Sequence, residues 1–514
     1  MSSGRLIRGF MTVGLWTMLS RILGFVRDIF IAAALGAGPV ADAFVVAFAL
    51  PNMFRRFFAE GAFNTAFVPM FSKKVEAQDD AHTFAQDALT GLSCILIVFT
   101  IVAMVAMPWL VLAMASGFAD DARFDLTVLY GRIAFPYILF ISVAALLSGV
   151  LNAVGRFVAA AAAPVLLNVL FVAVLTVGLA QGWDAGLTLV WTIPFAGMAQ
   201  LAFLWFAARR AGYTLIPRVP RMTPELRRLA IIAGPAALAG GVVQVNLLVG
   251  RQVASYFEGA NAWLYYADRL YQLPLGVVGI AIGIVLLPDL SRKLQAGDSQ
   301  GGQQAVSRAA EISLALTLPA AVALLVIPEA LVSVLFERGA FAPSDSAATA
   351  LACAIYGLGL PAFVLQKVLQ PLFFAREDTR RPFRYALVAM VVNAALAIGL
   401  APVIGFTAAA WGASLAGWAM VILLWIGSRN MGLAAHLDDR FRDRAWRIAL
   451  ASVIMGVALW AGEIALTDAL DLPVWRYTGL AALIGIGALS YGIAAQVLGA
   501  FTVSELRAGL RRKG

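Results

Sequence analysis

Charge is what this chain has least of. Of 514 residues only 13% are Asp, Glu, Lys or Arg, against roughly 25% in soluble globular chains. Hydrophobic residues make up 61%, and the mean hydropathy is +0.86. A soluble enzyme or scaffold is excluded, and a polytopic membrane protein is implied. Histidine and cysteine are nearly missing as well, with two of each. Cys94 and Cys353 fall in apolar runs and are expected to be small buried hydrophobes; His82 and His436 lie in polar connections. Without a Cys/His cluster or an HExxH pattern there is no foothold for zinc or for Cys–His nucleophilic catalysis. No metal and no cofactor are expected. The connections are short and basic, with no acidic metal motif, so a membrane-bound glycosyltransferase is disfavoured and the chain is not expected to be an enzyme.

What is present is a succession of apolar runs of about 20 residues, each long enough to span a bilayer. They predict an all-α protein of fourteen transmembrane helices, over 9–35, 42–70, 88–115, 125–153, 158–180, 187–208, 229–257, 262–289, 309–336, 346–374, 383–402, 406–428, 446–464 and 476–500. The first run is too long and too charged for a cleavable signal peptide. The net charge of +9 could suggest nucleic acid, but its placement argues otherwise. The terminal segments and the even-numbered connections hold 27 of the 38 Lys and Arg residues, whereas the odd connections hold Arg123, Arg338 and Arg476. The positive-inside rule then puts both termini in the cytoplasm, and no nucleic-acid partner is expected.

The chain also repeats itself. FVPMFSKKVEAQDD (67–80) and LLPDLSRKLQAGDS (286–299) share Pro, Ser, two basic residues and Ala in register at an offset of 219 residues. A weaker match relates PYILFISVAALLSGVLNAVGRF (136–157) to PAFVLQKVLQPLFFAREDTRRP (361–382). Six helices separate the copies. An even number preserves orientation, so the halves are parallel repeats, an arrangement in which transporters place substrate between the two halves. The last two helices, after the basic segment DDRFRDRAWR (438–447), fall outside the repeat.

Eight basic residues remain at membrane depth: Arg21, Arg27, Arg55, Arg56, Arg132, Arg251, Arg269 and Lys367. Acidic companions are Asp28, Asp42, Glu60 and Asp268. Each charge at a helix centre costs about 2.5–3.5 kcal/mol on the translocon scale. In the first helix Ser20, Gly24, Arg27 and Asp28 recur at helical spacing on one face, with Arg21 at its edge. Gly24 removes bulk between the arginines, and Pro51 in the second helix suits a bend beside a polar cavity. Two readings stand. Internal pairing, such as Arg27 with Glu60, or snorkelling suffices for Arg56, Arg132, Arg251 and Lys367. Arg21, Arg27, Arg55 and Arg269 exceed what pairing requires, and guanidinium suits bidentate contact with phosphate. A phosphorylated substrate entering the membrane is the reading they favour.

LSRILGFVRDIFIAAALGAGPVADAFVVAFALPNMFRRFFAEGAFNTAFVPMF (19–71) and YYADRLYQLPLGVVGIAIGIVLLP (265–288) resemble the MurJ (MviN) family of bacterial lipid II flippases, and the resemblance covers essentially the whole chain. It implies the fold of the multidrug/oligosaccharidyl-lipid/polysaccharide exporter superfamily. Two six-helix lobes, 1–212 and 213–430, would be followed by a helix pair in 431–514 whose groove takes a polyprenyl tail. It implies export of the undecaprenyl-diphosphate-linked peptidoglycan precursor, lipid II, from the inner to the outer leaflet of the cytoplasmic membrane by alternating access. The substrate-binding arginines of the family's central cavity match Arg21, Arg27, Arg55 and Arg269. Supporting or gating positions match Ser20, Gly24, Asp28, Asp42, Glu60 and Asp268. Membrane lipids and the cell-wall synthesis machinery are the further partners implied. Where some relatives carry an acidic sodium-type site, this chain offers Asn246, Asn393 and Thr407. The competing reading is a multidrug or other lipid-linked oligosaccharide exporter of the same superfamily; a cationic drug would want an acidic cavity, which the arginines oppose.

Overall fold

The computed structural model describes residues 3–55 and 62–501, and every regular element among them is helical. Two compact units emerge, Met1–Ala262 with Arg338–Phe341, and Trp263–Glu337 with Ala342–Gly514. The first unit holds α1 (Ser3–Leu35), α2 (Pro39–Arg55), α3 (Ala62–Glu76), α4 (Ala81–Val105), α5 (Met107–Ala115), α6 (Ala122–Ala134), α7 (Tyr137–Ala153), α8 (Phe157–Ala180), α9 (Ala185–Arg210) and α10 (Pro224–Ala254). The second contains most of α11 (Ala260–Gln295), then α12 (Ser299–Val326), α13 (Pro328–Phe336), α14 (Pro343–Phe374), α15 (Arg380–Ile404), α16 (Thr407–Ser428), α17 (Asp439–Ala465), α18 (Thr467–Asp471) and α19 (Arg476–Val497).

Among the described residues ten helical segments are long and apolar enough to cross a membrane. Their outward faces are as apolar as their cores. On α4, Ile95, Val98, Ile101, Val102 and Val105 are all more than half exposed, as suits lipid rather than water. Cys94 shares this outward side of α4, so the expectation of a buried thiol fails there, while Cys353 is buried as expected. Hydropathy cannot separate the two cases, because lipid-facing and core-facing positions are equally apolar in a bilayer.

Proline sets the breaks. Pro108 opens α5 directly after α4, and Pro328 opens α13 directly after α12. Each lacks an amide hydrogen, which the first turn of a helix does not need and a helix interior does. The two breaks fall at equivalent points of the sequence repeat. Its matched segments also end alike: Asp80 accepts from the Thr83 N–H at the start of α4 (3.2 Å), and Asp298 from the Gly301 N–H at the start of α12 (2.8 Å). Both aspartates are N-caps, 218 residues apart, so the caps stand one residue out of register with the matched segments.

One loop contact in the first unit allows no side chain. Gly36 and Gly339 both have positive φ, 64° and 61°. A Cβ on Gly339 would stand 2.2 Å from the Ala33 carbonyl oxygen, and one on Gly36 would stand 2.4 Å from that of Ala340. The same approach lets the Ala340 N–H bond to the Ala33 carbonyl at 2.8 Å. Gly339→Ala should therefore combine backbone strain with a clash against carbonyl, for a loss of about 2 kcal/mol or more. Thermal unfolding of the purified variant in detergent checks this; an unchanged midpoint would show that the loops do not meet.

Candidate functional site

The charged face of α1 packs on α8 through one neutral residue. Asn168, 5% exposed, lies opposite Gly24, where a Cβ would sit 3.5 Å from its side-chain nitrogen. That nitrogen donates to the Ser20 carbonyl at 2.9 Å, and the Asn168 amide oxygen accepts from Arg27 Nη1 at 3.0 Å. Arg27 Nε and Nη2 donate to Asp28 Oδ1 at 3.0 and 2.7 Å. The guanidinium carbon lies 5.9 Å from the Phe48 ring centre on α2 and 5.5 Å from that of Phe171 on α8. Arg27 and Asp28 are 9% and 1% exposed. The structure thus joins Ser20, Gly24, Arg27 and Asp28, as their spacing implied, and adds Asn168 with two phenylalanines. Burial of this kind is tolerated because the ion pair is charge-compensated, amide-bonded and flanked by ring faces.

Arg21, a turn and a half earlier, is exposed, and Arg55 at the described end of α2 is half-buried. Pro51 lies inside α2 without ending it. Glu60 and Arg56 lie outside the described residues.

Asp42 belongs to a different set of contacts in the first unit. It is fully buried in the first turn of α2. Its Oδ2 accepts from the Gly259 N–H (2.8 Å) and from Arg123 Nη1 (3.2 Å), and its Oδ1 accepts from the Ala262 N–H (3.0 Å). Arg123 also donates through Nε to Asp121 Oδ2 at 2.7 Å and lies 4.3 Å from the Phe118 ring centre. Burial pushes the Asp121 carboxyl up, but hydrogen bonds and charge from Arg123 outweigh it and hold it below the usual carboxylate range. Asp42 therefore ties together three segments distant in sequence.

In the second unit Asp268 and Arg269 are both half-buried on α11. Asp268 accepts from Gln272 one turn on, and the Arg269 guanidinium carbon lies 4.5 Å from the Tyr265 ring centre. Tyr271 packs between Tyr356 and Phe363 at 5.1 and 5.8 Å. Asn393 is buried on α15 against α16, where a Cβ on Gly412 would come within 2.8 Å of its amide oxygen. The Thr407 hydroxyl donates to the Ile404 carbonyl, and the side chain of Asn246 lies outside the described residues. Among the described residues no group of three or more His, Cys, Asp or Glu could hold a metal ion.

Sequence reasoning missed Asn168. It stands in an apolar run and carries no charge, so a search for intramembrane charges passes over it. A lone amide inside the apolar run of α8, 141 residues on from Arg27, was the available signal.

Comparison with known proteins gives a consistent result. A family model described as lipid II flippase MurJ matches residues 31–484. A protein of Rhizobium meliloti named probable lipid II flippase MurJ is 45% identical, over 99% of this chain and 96% of its own length. Lipid II flippase MurJ of Burkholderia cenocepacia is 34% identical over 88% of this chain and 90% of its own. A solved structure of lipid II flippase MurJ in an inward closed conformation superposes with a TM-score of 0.78 at 24% identity, covering 95% of this chain and 98% of the other. An inward-facing multidrug transporter of the MATE family reaches 0.68 at 13% identity, over 82% and 98%. At those identities the solved structures speak to the fold alone.

Proposed function

This chain belongs to the MurJ family of lipid II flippases, and from that membership we propose that it carries lipid II from the inner to the outer leaflet of the bacterial cytoplasmic membrane for peptidoglycan synthesis. The observation that carries the reading is likeness over the whole chain, 45% identity across 99% of its residues, to a relative named for that substrate. The protein is a transporter, not an enzyme. A multidrug exporter of the same superfamily is not favoured, since the multidrug transporter it resembles is 13% identical.

Fourteen spans follow if α1, the α2–α3 pair, α10 and α11 are added to the ten apolar segments. These four are the ones that carry most of the intramembrane charge. With fourteen spans both termini are cytoplasmic, and the proposed lobes are 1–212 and 213–430, with the helix pair in 431–514 serving the polyprenyl tail. Arg21, Arg27, Arg55 and Arg269 are assigned to the diphosphate, and Ser20, Gly24, Asp28, Asp42, Glu60 and Asp268 to support and gating. Fork-shaped donors suit a diphosphate better than point charges do. Enzymes that use the exported precursor in cell-wall synthesis are the proposed partners.

Energy for export can come from the membrane potential. A diphosphate carries about two negative charges, the cytoplasm is the negative side, and each charge moved through 100 mV is worth about 2.3 kcal/mol, so roughly 4–5 kcal/mol is available. Purified protein in vesicles should translocate lipid II, and collapsing the potential at fixed ion gradients should slow it several-fold. Absence of translocation would overturn the assignment of substrate; an unchanged rate would overturn the voltage-driven cycle alone.

A further inference from the structure

The second unit contains a further charge cluster, where α12 meets α17. Glu311 on α12 is 3% exposed and faces the start of α17. Arg444 Nη1 donates to its Oε1 at 2.8 Å, and Arg440 Nη2 reaches the same oxygen at 3.4 Å. Arg308, one turn earlier on α12, bridges Glu311 Oε2 and Asp438 Oδ2. Asp438 is in turn the N-cap of α17, accepting from the Phe441 N–H at 2.8 Å, and its own N–H donates to Ser307 Oγ at 3.0 Å. Three guanidiniums and two carboxylates so fasten the first turn of α17 to α12.

The remainder of that seam is built from small and apolar side chains. Ala315 packs with Ala451, Ala494 and Ala495, and further along Met455 and Leu459 of α17 and Leu483 of α19 pack on Ile327. A Cβ on Gly456 would stand 2.7 Å from Val322 Cγ1. Tyr491 of α19 donates to the Ala315 carbonyl at 2.8 Å. Small residues let helices approach closely, but between lipid-bathed helices they provide no hydrophobic drive and little to fix one helix at one height along another. A buried polar contact at one position is the best-attested way to set register.

We propose that Glu311 is a positioning residue for the polyprenyl tail of the substrate: it pins the register of α17 and α19 on α12, so that the tail-bearing helix pair keeps a fixed height along α12. The proposal rests on the reading that the 431–514 pair carries the tail. Glu311→Gln keeps the shape and removes the charge that three arginines share.

Two measurements on the full chain test it. In nanodiscs, lipid II and a farnesyl-tailed analogue are titrated onto wild type and variant. Glu311→Gln should weaken the undecaprenyl form about tenfold and the short form less than about twofold, the signature of a misplaced supporting element. Equal losses for both tails, or none, would overturn the proposal. Should Glu311→Gln fail to accumulate, Glu311→Asp, which keeps the charge and withdraws it by one methylene, carries the same test with a smaller split. The second measurement needs no lipid II. Spin labels at Ile312→Cys and Val453→Cys, in a Cys94→Ser background, should give a shifted or broadened distance in Glu311→Gln, and an unchanged distance would reject the pin. Wild type that binds neither lipid would sink the substrate assignment, while the distance measurement would still decide the role of Glu311.

Discussion

Arg27→Ala is expected to abolish lipid II transport and to lower the amount of folded protein in the membrane. Both effects follow from its surroundings. Arg27 is the partner of Asp28 at 2.7 Å and the donor to Asn168 at 3.0 Å, and Asp28 is 1% exposed. Removing the guanidinium breaks this buried ion pair from one side, a change that costs about 3–5 kcal/mol in measured cases. The double variant Arg27→Ala, Asp28→Asn removes both charges of the pair and should recover protein level without recovering transport. Arg27→Lys should keep the pair with Asp28 but lose the fork that reaches Asn168 as well, giving partial function at most. Arg21→Ala supplies the contrast: its side chain is exposed, so protein level should be unchanged while transport falls. Complementation of a depletion strain, read beside membrane protein level, separates these cases. Normal transport by the double variant would show that Arg27 serves packing and does not touch substrate.

The contrast between Arg21 and Arg27 also shows what was legible in the sequence. Periodicity on α1 placed Ser20, Gly24, Arg27 and Asp28 on one face, and the structure brings Ser20, Gly24 and Arg27 to Asn168 of α8 and Asp28 to Arg27. It did not reveal that Arg27 is compensated by its own neighbour, because residues adjacent in a helix point about 100° apart and only a long, flexible side chain can turn back. Neutral polar residues were invisible to a search for charge, as Asn168 shows. Cys94 failed for a related reason, since hydropathy measures affinity for an apolar medium and cannot say whether that medium is protein or lipid. Glu311 sits in the opening turns of an apolar run and resembles an ordinary interfacial acid; its significance appears only when Arg308, Arg440 and Arg444, one of them in the same helix and two from well over a hundred residues later, close on it. Helix breaks escaped as well: the runs 88–115 and 309–336 read as single helices, whereas the structure divides each of them in two. Yet Pro108 and Pro328 punctuate their runs for local covalent reasons, and such reasons can be read in order along the chain.

Asp42→Ala should be the most damaging single change outside the arginine set, although Asp42 contacts none of those arginines among the described hydrogen bonds. The carboxylate accepts two backbone N–H groups, of Gly259 and Ala262, and one arm of Arg123. The N–H groups stand at the start of α11, where the amides of the first turn have no partner within their own helix and where the positive end of the helix dipole favours an anion. Asp42, more than two hundred residues earlier in the chain, fills the place an N-cap residue would occupy. Truncation to alanine takes the acceptor from two buried amide donors, at about 1–3 kcal/mol each, and removes one of the two carboxylates that Arg123 contacts, leaving it Asp121. Asp42→Asn tests whether charge or shape matters. One amide oxygen can still accept, but the NH2 group then faces a donor on the other side, so this variant should be nearly as damaging as alanine. Arg123→Gln in the Asp42→Asn background removes the cation that has lost one of its two carboxylate partners and should regain part of the stability, and the size of that regain is the coupling energy of the pair. Thermal unfolding of the four proteins in detergent gives the cycle directly. Additive losses, with no regain in the double variant, would show that Asp42 acts through the backbone amides alone and that Arg123 is held by Asp121.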